Sequence, residues 1–167
     1  MTPRAAGALV ALAVLVADQA SKLWLLDGLK MADHQRIVVT PFFDIRLVWN
    51  SGISYSLFPQ STEAGRWTLI AVTAAATLLL ALWLWRVASR RAALGLGAII
   101  GGALGNGYDR LTHGAVIDFC DFHVLGWSFY IFNLADTAIT LGVLALIADT
   151  LLADREQRNR EGSTAAQ

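Results

Sequence analysis

The chain has 167 residues, 56% of them hydrophobic and 16% charged, with a mean hydropathy of +0.52. A soluble domain of this length carries about a quarter of its residues as charged groups, so the composition points to a membrane class. The formal net charge is zero, which leaves no basic field for nucleic acid, and a single cysteine, Cys120, excludes an internal disulfide framework.

The first apolar stretch runs from Ala5 to Leu26 (5–26). Ala17 and Ala20 resemble a secretory cleavage site, but Arg4 alone makes a weak charged leader and the apolar run continues through Leu23-Trp24-Leu25-Leu26. A retained membrane helix is the better reading. The segment at about 35–58 holds runs rich in β-branched and aromatic residues: Ile37 to Val39, Phe42 to Trp49, and Ile53 to Phe58. It reads as a small external β-structure with a turn at Asn50-Ser51-Gly52. The second apolar stretch, Trp67 to Trp85 (67–85), has the length a bilayer requires.

The third stretch, 92–111, is rich in glycine, and Gly97, Gly101 and Gly105 recur every four residues. That spacing lets helix backbones approach closely. No Gly-Lys-Ser/Thr follows, so a phosphate loop is excluded. An aromatic external segment, Thr112 to Tyr130, carries Asp118, Asp121 and His123, and the fourth stretch runs from Ile131 to Leu152 (131–152). Beyond a single membrane domain over 1–154, residues 155–167 read as a polar, frayed cytoplasmic tail.

Arg4, the trio Arg86, Arg90 and Arg91, and the trio Arg155, Arg158 and Arg160 fall on one side when there are four spans. By the positive-inside rule both termini are cytoplasmic. Trp24, Trp49, Trp67 and Trp127 then read as an interfacial aromatic belt.

Ionisable groups inside a membrane are expensive and are functional candidates by default. With this orientation, Asp18 and Lys22, then Asn106, Asp109 and Arg110, then Asn133 and Asp136 all reach the same depth, near the outer face. Asp118 joins them from the external segment. Asp149, near the cytoplasmic end, reads as ordinary interfacial solvation. Blander readings exist: Asp18 and Lys22 form a self-neutralising i,i+4 pair, and Asp109 and Arg110 cap and anchor a helix. His34, His113 and His123 lack metal-ligand spacing, so no metal or other cofactor is expected.

Asp118 and Asp136 have no adjacent basic partner in sequence. Two carboxyls brought together at low dielectric cannot both ionise, so one stays protonated near neutral pH. The ionised one takes a proton from water while the protonated one polarises a peptide carbonyl. Two other uses of such carboxylates stay open: a small proton or ion carrier, and a non-enzymatic binding protein. The first is disfavoured by a short chain without an internal repeat and by polar groups confined to one side.

The motifs resemble the lipoprotein signal peptidase family, signal peptidase II. The resemblance rests on Asp18-Gln19-Ala20-Ser21-Lys22, Asn50-Ser51-Gly52, Gly101-Gly102-Ala103-Leu104-Gly105-Asn106 with Asp109-Arg110, Val116-Ile117-Asp118-Phe119, and Phe132-Asn133-Leu134-Ala135-Asp136. It implies an all-α membrane protein of four transmembrane helices, with a small extracytoplasmic β-cradle and a mobile extracytoplasmic helix. It also implies an aspartic endopeptidase with Asp118 and Asp136 as catalytic dyad. Asp18, Lys22, Asn50, Gly52, Asn106, Asp109, Arg110, Asn133 and Ala135 would line or support the site. The implied substrates are diacylglyceryl-modified prolipoproteins, cut just before the lipidated cysteine at the outer face of the bacterial inner membrane. Membrane lipids are the other expected partners, and the protein is expected to be monomeric. The chain departs from the family pattern at Gly107, Tyr108, Ile53, Tyr55 and Tyr130.

Overall fold

A computed structural model describes residues 1–31, 36–52, 62–124 and 127–165. Helix α1 spans Pro3–Leu23. Thr2 caps it, its hydroxyl accepting from the Ala5 N–H at 3.3 Å, and Pro3 occupies the first turn, where its missing donor is not needed. The helix widens into a π-helical turn over Trp24–Gly28. Helix α2 spans Glu63–Arg86 behind the Thr62 cap, and α3 spans Arg90–Thr112 behind the Ser89 cap. Helix α4 spans Leu134–Ala165.

Helix α3 sits between α1 and α4, and glycine makes that possible. A Cβ at Gly101 would lie 2.5 Å from the Ala11 carbonyl of α1, and one at Gly102 would lie 2.5 Å from the Ala135 carbonyl of α4. Both seams are therefore backbone against backbone; the four-residue repeat of Gly97, Gly101 and Gly105 predicts the one with α1, while Gly95 and Gly102, outside that repeat, make the one with α4. Helix α2 stands at the periphery, with only Thr77 and Leu84 buried. Its exposed Leu78, Leu79, Leu82 and Trp85, with Leu9, Leu12 and Val16 of α1 and Leu144, Ile147 and Leu151 of α4, form an apolar exterior suited to lipid.

Three stretches are long and apolar enough to cross a bilayer: Pro3–Gly28, Glu63–Arg86 and Leu134–Asn159. Four equivalent spans were expected. The remaining helix, α3, falls short on composition because, beside Leu96, Ile99 and Ile100, it buries five glycines with Asn106 and Asp109. Packed among its neighbours, it does not need a lipid-soluble surface of its own.

One four-stranded antiparallel sheet lies at the end of the bundle, in the order β1 (Ile37–Thr40), β2 (Phe43–Asn50), β3 (Val116–Val124), β4 (Trp127–Phe132). Its apolar side packs Ile37, Ile45, Leu47 and Ile117 around Leu25 and Met31, so the sheet rests on the π-helical end of α1.

Several boundaries differ from the sequence reading. The segment 112–130, expected as an aromatic external segment with no strand assigned to it, supplies β3 and most of β4. Ile131 and Phe132 end β4 rather than start the last helix. The expected strand Ile53 to Phe58 lies outside the described residues, and among those described there is no separate extracytoplasmic helix. Helix α4 runs on to Ala165 instead of fraying after Asp154, because Glu156, Gln157 and Arg158 are good helix formers. Trp24, Trp49, Trp67 and Trp127 are all exposed.

Candidate active site

The polar residues meet where the ends of α1, α3 and α4 approach the sheet. Lys22 is 1% exposed, and its Nζ lies 2.8 Å from Asp18 Oδ2 and 2.7 Å from Asp109 Oδ2. A buried ammonium needs such partners, since removing it from water costs several kcal/mol. Gly105 gives Asp18 room: a Cβ there would collide with the Asp18 carboxylate. Gln19, which the sequence reading passed over, donates from Nε2 to Asp109 Oδ1 at 2.9 Å and to Asp18 Oδ2 at 3.1 Å. The Ile117 N–H, also missed, donates to Asp109 Oδ2 at 3.2 Å. Only the adjacency of Gln19 to Asp18 hinted at the first; the second depends on a strand register that the sequence does not display.

Helix α4 starts in a capping box. Asn133 Oδ1 accepts from the Asp136 N–H at 2.9 Å, and Asp136 Oδ2 accepts from the Asn133 N–H at 3.3 Å. The Ala135 N–H, another open donor of the first turn, is taken by Asp18 Oδ1 at 3.0 Å. Asp136 Oδ1 also accepts from Asn106 Nδ2 at 2.9 Å. Asp136 is thus held at a helix N-terminus, where the dipole favours a carboxylate.

Asp118 comes from β3, 1% exposed. Its Oδ1 accepts from Asn133 Nδ2 at 2.7 Å and its Oδ2 from Asn50 Nδ2 at 2.9 Å. The antiparallel register sets Asn50 of β2 opposite Val116, two residues before Asp118. Asn50 is itself held by the Gly52 N–H, which donates to its Oδ1 at 3.0 Å. Burial pushes the Asp118 carboxyl up to about 7; the Asn50 hydrogen bond opposes the rise, and the nearby Asp136 charge adds to it. Arg110 closes the circuit, donating from Nη2 to the Gly52 carbonyl at 2.8 Å and from Nη1 to the Asn106 carbonyl at 3.2 Å.

Asn106 is the hub. Its Oδ1 accepts from Asn133 Nδ2 at 3.0 Å and from Lys22 Nζ at 3.3 Å. All eleven residues singled out in the sequence therefore belong to one connected hydrogen-bond network. Asp109 and Arg110 do more than cap a helix, and the Asp18–Lys22 pair is not self-contained. The network holds both the Asp118 and the Asp136 carboxyl against fixed amide donors. It offers no thiolate, since burial raises the Cys120 thiol to about 11.

Other candidates lie elsewhere. Asp149 accepts from Ser89 Oγ at 2.7 Å and lies 3.1 Å from Arg91 Nε, tying α3 to α4. It is a tertiary link rather than a solvated surface charge, because Ser89 and Arg91 project towards it from the start of α3. His123 pairs with the buried Asp44 on the sheet, and the His113 ring lies tilted against Trp49. His34 lies outside the described residues. Among the described residues no three His, Cys, Asp or Glu side chains are grouped to hold a metal ion.

Apolar helices around a buried carboxyl-centred network, roofed by a sheet, define an integral membrane protein with a hydrolytic type of site. A family model described as signal peptidase (SPase) II matches residues 10–152. The lipoprotein signal peptidase of Beijerinckia indica is 51% identical over 154 residues, covering 92% of each chain. That of Nitrobacter hamburgensis is 50% identical, covering 91% of this chain and 95% of its own. A solved bacterial membrane enzyme, determined by the in meso method, is 28% identical and superposes with a TM-score of 0.75 over 90% of each chain. The chain belongs to the signal peptidase II family and is a membrane peptidase of the bacterial inner membrane.

Proposed function

We propose that the network is the active site of an aspartic endopeptidase that cleaves diacylglyceryl-modified prolipoproteins just before the lipidated cysteine. The observation that carries this reading is Asn133, which donates from Nδ2 to the Asp118 carboxylate and from its backbone N–H to the Asp136 carboxylate. A residue that bridges two carboxyls fixes their separation, which is what a dyad sharing one proton requires.

In this mechanism Asp118 carries the proton and Asp136 is the carboxylate. Asp136 takes a proton from the attacking water, whose oxygen bonds to the scissile carbonyl carbon. Asp118 gives its proton to the carbonyl oxygen, leaving a neutral gem-diol. Collapse of that intermediate breaks the C–N bond, returns a diol proton to Asp118, and passes the Asp136 proton to the leaving amine. Lys22, Asp18 and Asp109 hold Asn106, and Asn106 with Asn133 orients both acids. Asn50, Gly52 and Arg110 tie the sheet to the helices.

The chain crosses the membrane four times, α3 being the glycine-rich span, with both termini and residues 155–167 cytoplasmic. The dyad faces the extracytoplasmic interface, where a lipid-anchored peptide presents its scissile bond. The enzyme works as a monomer among membrane lipids.

The test is turnover by purified protein of one precursor, lipidated and unlipidated, with the new N-terminus identified. The lipid anchor holds the scissile bond at one depth, and such positioning is worth orders of magnitude in rate. Lipidated precursor should be cut before its modified cysteine at a rate at least about 10²-fold above the unlipidated one. Equal turnover of the two would rule out the lipid-dependent reading.

A further inference from the structure

Gln19 takes no part in the proton transfers, yet its one amide ties together both helices of the α1–α3 seam. Its Nε2 carries two protons and lies within reach of three oxygens: Asp109 Oδ1 at 2.9 Å, Asp18 Oδ2 at 3.1 Å and the Gly105 carbonyl at 3.2 Å. The two carboxyls are 0% exposed and flank the Lys22 ammonium. One ammonium does not serve every oxygen of two buried carboxyls. Asp18 Oδ1 takes the Ala135 N–H, Asp109 Oδ2 takes the Ile117 N–H beside Lys22, and Gln19 supplies the donor at Asp109 Oδ1. A buried carboxyl oxygen without a donor is costly.

The surroundings make that donor matter. A hollow of about 290 Å³, lined by Leu23, Leu26, Tyr108 and His113 among others, ends at Gln19 and Lys22. It is roomy enough for water, and water competing for Asp109 would draw the carboxyl off Lys22. A shift of Lys22 reaches the dyad. Its Nζ donates to Asn106 Oδ1 at 3.3 Å, and Asn106 Nδ2 donates to Asp136 Oδ1 at 2.9 Å. The bond to Asn106 is longer than the contacts of 2.8 and 2.7 Å to Asp18 and Asp109, so it is the first to part when the ammonium moves. Gln19 does not line the separate hollow that has Asp136 in its wall. Resting on the peptidase reading above, we propose that Gln19 is a positioning residue: by fixing Asp18 and Asp109 about Lys22, it keeps Lys22 on Asn106 and Asn106 on Asp136.

The experiment is turnover of lipidated precursor by full-length native protein, Gln19→Met, Asn106→Ala and the double variant, each with its melting temperature. Methionine keeps the length of glutamine and donates nothing. A misplacement of about 1 Å at a reacting group costs about 10²-fold in rate, so kcat of Gln19→Met should fall about 10- to 100-fold. KM should stay within about twofold, the sign of an interaction that serves the transition state rather than substrate binding. In the Asn106→Ala background the same change should lower kcat by no more than about twofold, because the link through which it acts is gone. A residue that only packs the seam would give losses that multiply in the double variant, and that result overturns the proposal. So does a native-like kcat, or a raised KM with kcat unchanged. Should Gln19→Met fail to fold, Gln19→Glu decides. It keeps the shape of glutamine but sets a third carboxyl against the other two, so a reduced kcat at native KM supports the role and a native-like kcat overturns it. Failure of the native protein to cut lipidated precursor would sink the peptidase reading and this role with it. Native turnover beside an unaffected Gln19→Met sinks the role alone.

Discussion

Asp118 and Asp136 have the same side chain and opposite surroundings. Asp118 stands on a strand, buried and met only by neutral amides, and its carboxyl rises to about 7. Asp136 stands in the first turn of a helix, its carboxylate held by the Asn133 N–H and by Asn106 Nδ2. The pH profile follows with a definite sign. As pH rises through about 7, Asp118 loses the proton that the mechanism assigns to the carbonyl oxygen, so kcat/KM should fall towards about tenfold per pH unit on the alkaline side. A rate that is flat or rising between neutral pH and pH about 9 would reject Asp118 as the acid. Both acids were legible in the sequence because neither has a basic neighbour there and each sits in a specific motif. Gln19 and the Ile117 N–H were not legible, because their roles depend on contacts across 90 and 8 residues that no local pattern encodes.

At the scale of elements, the site stands on two devices. One is the capping box that starts α4 and aims Asp136; the other is glycine packing, which brings α3 against both neighbours. A pair of equal substitutions separates packing from propensity. Gly101→Ala places a Cβ 2.5 Å from the Ala11 carbonyl, whereas Gly107→Ala meets nothing within 4 Å. The first should destabilise the protein by roughly 1–3 kcal/mol through overpacking, and the second should stabilise it by up to about 1 kcal/mol. Melting of the two variants in detergent checks this, and equal shifts would show that the seam is looser than described. The helices were readable because apolar length and four-residue glycine spacing survive in any single sequence. The sheet was half readable. Strands β1 and β2 carry β-branched runs, but β3 interrupts its apolar pattern with Asp118, Asp121 and His123, of which Asp118 bonds Asn50 and Asn133 and His123 meets Asp44 across the sheet. The start of α4 was misplaced because Ile131 and Phe132 are as apolar as the helix that follows them.

For the whole molecule, the packing of four helices against one sheet gathers every site residue at one end of the bundle. With Cys120→Ser as background, Ala88→Cys and Arg155→Cys should be shielded from an impermeant thiol reagent in intact cells, and Glu63→Cys should react. Labelling of Ala88→Cys from outside would invert the topology and place the site on the cytoplasmic face. The most direct measurement of the central claim is turnover of lipidated precursor by Asp118→Asn, Asp136→Asn and the double variant, each with its melting temperature. Exposed Asp27→Asn serves as control. Asp121 is a poorer control because it is 5% exposed. Asparagine keeps the size of the acid but moves no proton, and two groups acting as one unit lose their effect together. Each single variant should lose at least about 10²- to 10⁴-fold while remaining folded, and the double variant should lose little more. A folded single variant with near-native turnover would contradict the dyad.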